Sequence, residues 1–326
     1  MDTGGMDNRP GVRRILGILL LIFPLWLNNS SLLAETGRYR LLAHRGLAQT
    51  FDISQVEWDT NTAAVMDEPE HGYLENTLAS MEAAYSFGAD VVELDIQKTG
   101  DGKLAVFHDF DLSMRTDGTG PVSGYTMEEL KRLDVGYGYT ADGGRTYPFR
   151  GTGTGLMPEL TEVLAAFPDR DLLIHMKDTD PETAVILWSY LEEFSPDRLD
   201  GISVYGNHQG LMYLREQNSS IRVLSMEYLK RALLKYELLG WTGYIPPEIH
   251  NLQIHIPIRY ARLLWGWPHR FVDRMESVNS RVVLVAGDGK WSEGFDTRES
   301  LKEIPEGFRG YVWTNRIDVI AGESRL

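Results

Sequence analysis

Short apolar segments recur along this chain, and amphipathic stretches separate them. Nine segments have this character: 41–44, 91–96, 104–107, 172–176, 201–205, 222–226, 251–256, 281–286 and 311–314. Runs of this length that alternate with helical patterns predict the strands of an α/β protein with a parallel sheet. The segment 104–107 returns through a tight turn and must run antiparallel to 91–96. Eight candidates for parallel strands remain.

The stretches between these segments predict helices, among them Leu78 to Phe87 and Thr183 to Phe194. The second follows Asp180-Pro181-Glu182, which predicts an N-cap with proline in the first turn. Eight strands that alternate with helices predict a TIM (β/α)8 barrel. We therefore expect an α/β barrel with a β-hairpin extension after strand 2 and long loops at the active-site face.

Charged side chains stand at the ends of several predicted strands. Glu93 and Asp95 are two positions apart in one strand, so both carboxylates point to the same face. Asp101-Gly102 between apolar runs predicts a hairpin. With a two-residue loop, His108 lies directly across from Asp95, with roughly 5 Å between their Cβ atoms. Together with His44, these residues indicate acid/base chemistry beside a metal.

Five motifs occur in order along the chain: His44-Arg45-Gly46, Glu75-Asn76-Thr77, Glu93-Leu94-Asp95, Asp101-Gly102 and His108-Asp109. In this ordered set the chain resembles the glycerophosphodiester phosphodiesterase family. Weaker echoes (Pro158-Glu159-Leu160, Lys177 and His255-Ile256-Pro257) extend the resemblance from about residue 40 to the C-terminus.

The resemblance implies roles for individual residues. His44 and His108 would be the catalytic acid/base pair, with the assignment of acid and base open. Arg45 and Lys177 would contact the substrate phosphate. Glu75 would orient the neighbouring groups rather than touch the metal.

The resemblance also implies a divalent metal, Ca²⁺ or Mg²⁺, on Glu93 and Asp95. The family places a third ligand, a glutamate, two residues before the lysine, where this chain has His175. Imidazole binds divalent ions but brings no negative charge, which favours Mn²⁺, Co²⁺ or Zn²⁺ over the harder ions. The expected site is therefore Glu93, Asp95 and His175 with one divalent ion of open identity.

The implied activity is metal-dependent hydrolysis of a phosphodiester such as a glycerophosphodiester, giving a phosphomonoester (sn-glycerol 3-phosphate) and an alcohol. Two alternatives stay open. One is a phospholipase-like enzyme that cleaves lipid headgroups by internal attack and forms a cyclic phosphate. The other is a non-catalytic binding protein in which His175 has degraded the metal site. The sequence does not determine the oligomeric state.

Composition narrows the partners. The net charge of −15 argues against a nucleic-acid surface, because phosphate backbones are bound by basic patches. A small phosphodiester or a lipid headgroup must then be bound by local charges. The absence of cysteine excludes disulfides, cysteine nucleophiles and cysteine metal ligands.

Residues 1–34 form a distinct N-terminal segment. Arg13-Arg14 precedes the apolar run Ile15 to Leu27, and Leu32-Leu33-Ala34 follows. This order predicts a signal peptide cleaved near Glu35 and an exported, periplasmic or extracellular protein. The alternative is an uncleaved anchor at 15–27 that touches the membrane, although 13 residues are short of the ~20 needed to cross it. Residues 35–326 form the predicted barrel domain.

Further candidates are less specific. The insertions 47–74 and 136–155 are expected at the active-site face, as a mobile lid or as loops packed on the rim. His208 and His255 are expected to be structural, and Trp313 to line the pocket. Trp265 and Trp267, with Leu263 and Leu264, are either an exposed lipid-contacting patch or helix packing.

Overall fold

The computed structural model describes residues 22–57, 59–290 and 293–322. Short strands with few exposed side chains alternate with helices along most of this length. The strands are β1 (Arg40–Ala43), β2 (Val91–Lys98), β3 (Leu104–Val106), β4 (Asp171–Met176), β5 (Ile202–Gly206), β6 (Arg222–Leu224), β7 (Gln253–Pro257), β8 (Arg281–Val285) and β9 (Tyr311–Thr314).

Eight of these strands form a parallel sheet in the order β6-β5-β4-β2-β1-β9-β8-β7. The sheet closes through a parallel bridge between Val223 of β6 and Leu252, which precedes β7. The ninth strand, β3, pairs antiparallel with β2. The predicted TIM barrel with a hairpin after its second strand is confirmed.

Helices connect the strands and cover the outside of the barrel. Thr77 caps the helix that follows it by accepting a hydrogen bond from the Ser80 N–H, and Asp180 does the same for Glu182. The predicted N-cap at Asp180 is therefore present. The helices are α1 (residues 22–29), α2 (Leu78–Phe87), α3 (Met127–Leu130), α4 (Leu160–Ala166), α5 (Pro181–Leu191), α6 (Pro196–Asp200), α7 (His208–Gln217), α8 (Met226–Leu239), α9 (Ile258–Ala261), α10 (His269–Glu276), α11 (Arg298–Leu301) and α12 (Ile317–Ile320).

The hairpin register differs from the predicted one. Ile96 pairs with Val106 and Lys98 with Leu104, so Asp95 stands opposite Phe107 and not opposite His108. The Phe107 N–H donates to the Asp95 carbonyl at 3.0 Å. The predicted pairing of residues 95 and 108 is wrong by one position.

A three-residue loop causes this shift. The Thr99 N–H donates to the Lys103 carbonyl at 2.9 Å, which leaves Gly100, Asp101 and Gly102 as the loop. Gly102 has a φ of 75°, the left-handed conformation typical of glycine in three-residue hairpin loops. The Asp101 carboxylate accepts hydrogen bonds from the Thr99 hydroxyl and the Met127 N–H, which stabilise this longer loop.

The interior of the barrel has an apolar lower part and a polar upper part. Apolar side chains from five strands fill the lower part: Leu42, Val91, Leu173, Val283, Val285, Tyr311 and Trp313. Because side chains alternate along a strand, the next inward positions on β1, β2 and β4 are His44, Glu93 and His175. The strand period therefore places the candidate chemistry at the carboxyl ends of the strands, as expected for a barrel enzyme.

The insertions build a second, smaller core beside the barrel. Phe107, Leu112, Leu130, Tyr139 and Phe149 are among its buried members. The segment 136–155 therefore contributes Tyr139 and Phe149 to a packed core, which favours the rim-packed alternative over a free loop.

The N-terminal segment is described only in part. Arg13-Arg14 and residues 15–21 of the predicted signal or anchor lie outside the described residues. Among the described helices, none combines the length and the apolar character that crossing a bilayer requires.

Candidate active site

Two acidic side chains are buried inside the upper part of the barrel. Glu93 is 0% and Asp95 is 1% exposed, and both point inward from β2 as predicted. The Tyr205 hydroxyl donates to Glu93 Oε1 at 2.6 Å, and the Arg45 N–H donates to Glu93 Oε2 at 3.0 Å. Asn76 Nδ2 donates to Asp95 Oδ2 at 3.0 Å.

His175 completes a three-residue cluster with these carboxylates. It lies beside Asp95 in the parallel register of β2 and β4, and its Nδ1 is 2.8 Å from Asp95 Oδ1. Its ring stacks on the Tyr205 ring, with centroids 3.9 Å apart. One ligand atom from each of Glu93, Asp95 and His175 falls within a mutual distance of 4.8 Å, which is compatible with one metal ion.

The two carboxylates differ in protonation. Burial and the negative charge of Asp95 raise the pKa of Glu93 to about 8. Burial also acts to raise the pKa of Asp95, but the positive charges of His108 and Arg45 outweigh it and hold that pKa well below its usual value. Two adjacent buried carboxylates avoid carrying two negative charges at once, so in the metal-free protein Glu93 holds a proton at neutral pH.

A left-handed turn brings Arg45 onto the carboxylates. Arg45 and Asn76 have φ values of 56° and 58°, and the Asn76 N–H donates to the Arg45 carbonyl at 3.0 Å. The Arg45 guanidinium lies 3.2 Å from Asp95 Oδ2 and donates to Glu75 Oε1 at 2.9 Å. Such strained backbone at two neighbouring residues is typical of functional sites.

His44 lies at the end of β1, and the Asn315 side chain fixes its tautomer. Its Nδ1 is 2.6 Å from Asn315 Oδ1, while Asn315 Nδ2 donates to Asp296 Oδ2 at 2.8 Å. The amide oxygen therefore faces the ring, so Nδ1 carries the proton and Nε2 is the unprotonated nitrogen of the neutral ring. His44 Nε2 lies 3.9 Å from Glu93 Oε2. Burial and the nearby Arg45 lower the pKa of His44 well below its ordinary value.

His108 lies across the cluster from His44 and has a carboxylate partner. Its Nδ1 donates to Asp109 Oδ1 at 2.9 Å, and its Nε2 is 2.9 Å from Lys177 Nζ. Burial and Arg45 lower the pKa of His108, while Asp109 acts in the opposite direction. Burial also lowers the pKa of Lys177.

Arg115 links the two halves of the site from the inserted core. It is 3% exposed, and its guanidinium donates to Asp109 Oδ2 at 2.6 Å and to Glu75 Oε2 at 2.9 Å. It therefore holds the partner of His108 and the partner of Arg45 in one network. Sequence reasoning missed Arg115, because an arginine within a loop shows neither its burial nor its partners.

The structure brings all eight predicted site residues together at one end of the barrel. Beside His175 and Lys177 it forms a cavity of about 490 Å³. Trp313 lines this cavity, as predicted, and so does His255, whose pKa burial lowers to about 3. His208 instead pairs with the Ser225 hydroxyl at 2.8 Å, consistent with a structural role.

Tyr205 and Asn315 join Arg115 as site residues that the sequence did not reveal. Both contact predicted residues, since Tyr205 bonds to Glu93 and Asn315 bonds to His44. A signal existed for each, because both stand at the carboxyl end of a predicted barrel strand.

A model of the glycerophosphoryl diester phosphodiesterase family matches residues 44–253, which include all of the predicted site residues. The chain belongs to the glycerophosphoryl diester phosphodiesterase family. The predicted resemblance is therefore confirmed, and the family is one of phosphodiester hydrolases.

Curated relatives match over parts of their length. A glycerophosphodiester phosphodiesterase from Caldanaerobacter subterraneus is 36% identical over 121 residues, which are 36% of this chain and 44% of that protein. One from Bacillus altitudinis is 30% identical over 183 residues, which are 53% of this chain and 70% of that protein. The first match thus spans less than half of the relative.

Solved structures of this family share the fold. A glycerophosphodiester phosphodiesterase from Agrobacterium tumefaciens has a TM-score of 0.57 at 20% identity and covers 87% of this chain and 99% of its own. A phosphodiesterase from Oleispira antarctica, in complex with the product sn-glycerol-3-phosphate, has a TM-score of 0.54 at 19% identity and covers 88% and 97%. At these identities the likeness concerns the barrel alone.

Proposed function

We propose that this family member hydrolyses glycerophosphodiesters to sn-glycerol 3-phosphate and an alcohol, with help from one divalent metal ion. The observation that carries the proposal is the placement of His44 and His108 around the cluster of Glu93, Asp95 and His175. The relatives are named glycerophosphodiester phosphodiesterases, and one neighbour is described with the product sn-glycerol-3-phosphate, which supports this substrate class.

The residues present fit a divalent cation. Two buried carboxylates lie so close that burial and Asp95 raise the pKa of Glu93 to about 8, and a cation would relieve this repulsion. Glu93, Asp95 and His175 would hold the ion. When bound, it would supply positive charge next to a non-bridging phosphate oxygen.

Arg45 and Lys177 are proposed to bind the phosphate. Both point toward the cluster, since Arg45 lies 3.2 Å from Asp95 Oδ2 and Lys177 lies 2.9 Å from His108 Nε2. Their charges stabilise the negative charge that develops on the phosphate oxygens during cleavage. They also attract the anionic substrate locally, although the chain as a whole carries a net charge of −15.

His44 is proposed as the general base. Asn315 keeps the proton on Nδ1, so Nε2 is free to take a proton from the nucleophile. Its pKa is lowered further than that of His108, which keeps the ring neutral. The nucleophile is water in the hydrolase that we propose.

His108 is proposed as the general acid. Asp109 accepts the Nδ1 proton and favours the protonated ring, so Nε2 can give a proton to the departing alkoxide. Lys177 beside Nε2 marks the place where the leaving oxygen would lie. This division of roles resolves an assignment that the sequence leaves open.

Leaving-group chemistry tests the two roles. On a glycerophosphodiester, His44→Ala and His108→Ala should each lower kcat by at least about 10²-fold. On bis-p-nitrophenyl phosphate, whose leaving group needs no proton, His108→Ala should recover most of this loss and His44→Ala should not. His250→Ala, a change at an exposed histidine before β7, is the matched control and should keep wild-type rates.

The outcome that contradicts the assignment is equally specific. If His44→Ala recovers with the p-nitrophenyl ester and His108→Ala does not, the roles are reversed. If either variant keeps wild-type turnover on the glycerophosphodiester, that histidine moves no proton in the limiting step.

A further inference from the structure

A group of exposed apolar side chains lies on one side of the barrel, away from the active-site cavity. On α8, Leu234 and Leu238 are 63% and 65% exposed, and after α9 Leu263 is 70% exposed. Trp241 and Trp265 are each 41% exposed. Single exposed apolar residues are ordinary, but a contiguous group of this kind marks an interaction surface.

Hydrogen bonds show that these side chains are neighbours. The Trp265 indole donates to the Glu237 carbonyl at 2.9 Å, and the Trp241 indole donates to the Leu238 carbonyl at 3.1 Å. Helix α1 extends the group, because one groove of about 330 Å³ is lined by Ile22, Leu25, Trp26, Asn29, Ser30, Trp241 and Trp265. We call Ile22, Leu25, Trp26, Leu238, Trp241, Leu263 and Trp265 the α8 surface.

Buried polar contacts fasten α1 to the barrel. Arg274 is 6% exposed, and its guanidinium donates to the Asn28 carbonyl at 2.8 Å and to Asn29 Oδ1 at 3.2 Å. Asn29 Nδ2 donates to the Trp241 carbonyl at 2.7 Å. Cleavage near Glu35 would remove these partners of a buried charge, which is unfavourable. The contacts therefore favour the anchor over the cleaved signal peptide.

We propose that residues 22–33 stay in the mature protein and that the α8 surface binds the face of a lipid bilayer. The sequence just before Ile22, residues 15–21, is an apolar run of leucine, isoleucine and one glycine behind Arg13-Arg14. It would continue the same apolar surface toward the lipid. Tryptophan with an apolar ring and a polar N–H suits the boundary between lipid and water.

Local charge agrees with this partner. Residues 258–270 contain Arg259, Arg262 and Arg270 and no acidic residue, whereas the whole chain carries −15. Arginines beside exposed apolar groups attract anionic lipid headgroups. The bilayer face is thus a better match than a second copy of this acidic chain.

Vesicle cosedimentation of the full chain tests the proposal. Vesicles of phosphatidylcholine with phosphatidylglycerol should bind it more tightly than phosphatidylcholine alone. Leu238→Glu with Leu263→Glu should lower the partition coefficient by at least about tenfold. Val185→Glu, at an aliphatic residue of α5 that is 46% exposed, is the matched control and should bind as wild type.

Because the substituted leucines are largely exposed, turnover of a soluble diester should be unchanged in all variants and reports their folding. If this activity is lost, the milder Leu263→Ser variant is measured instead. Three results would overturn the proposal. They are equal binding by the double variant and wild type, a dimer in light scattering that the double variant breaks while wild type ignores vesicles, and a natural mature chain that begins near Glu35.

Discussion

Replacing His175 with glutamate should change which divalent ion the protein prefers and destabilise its metal-free form. His175 Nδ1 lies 4.0 Å from Glu93 Oε1 and 2.8 Å from Asp95 Oδ1. A carboxylate there adds a negative charge about 4 Å from Glu93, which costs about 4 kcal/mol at an effective dielectric constant of about 20. Because Glu93 takes up a proton, part of this is relieved, and we expect Tm to fall by about 5–10 °C.

A bound dication reverses the sign of this effect. Three carboxylates attract Ca²⁺ or Mg²⁺ more strongly than two carboxylates and an imidazole, whereas wild-type His175 suits Mn²⁺, Co²⁺ or Zn²⁺. Calorimetric titration and thermal shift of the metal-free protein with each ion measure the change without relying on activity. His175→Gln adds no charge and is the matched control, so its metal-free Tm should stay near the wild-type value.

One result would refute the reasoning. If wild type and His175→Glu rank the ions identically, His175 does not coordinate the metal. Asp178 or a water molecule would then have to complete the site.

Other predictions concern the network around the metal cluster. Arg115→Met leaves Glu75 and Asp109 buried without their cation and should lower the free energy of unfolding by about 3–5 kcal/mol in urea denaturation; the exposed Arg132→Met should change it little, and equal effects would contradict the account. Asp109→Asn removes the group that raises the pKa of His108, so the His108 limb of the pH–kcat profile should move to lower pH; an unmoved profile would exclude this coupling. Chelation should abolish turnover, and added metal should restore it.

The strand pattern was sufficient to predict the barrel, because apolar runs of four to six residues between helical stretches have few other arrangements. The same period of two correctly placed Glu93 and Asp95 on one face. The hairpin register failed because it depends on loop length. Thr99 and Asp101 stabilise a three-residue loop through side-chain hydrogen bonds, and apolar periodicity does not report these.

Long-range contacts limited the prediction of the site. Motifs indicated residues that stand at strand ends, but Arg115, Tyr205 and Asn315 act through partners far away along the chain. The pairs Arg115–Glu75 and Asn315–His44 are 40 and 271 residues apart. Only the fold brings such residues together, so their roles follow from three-dimensional geometry.

Product analysis by phosphorus NMR tests the central claim most directly. The purified full chain, stripped of metal and reconstituted with Ca²⁺, Mg²⁺, Mn²⁺, Co²⁺ or Zn²⁺ in parallel, would be incubated with a glycerophosphodiester in ¹⁸O-labelled water. The account predicts metal-dependent formation of sn-glycerol 3-phosphate that carries one ¹⁸O atom. Accumulation of a cyclic phosphate as the end product, or no turnover with any ion, would contradict it.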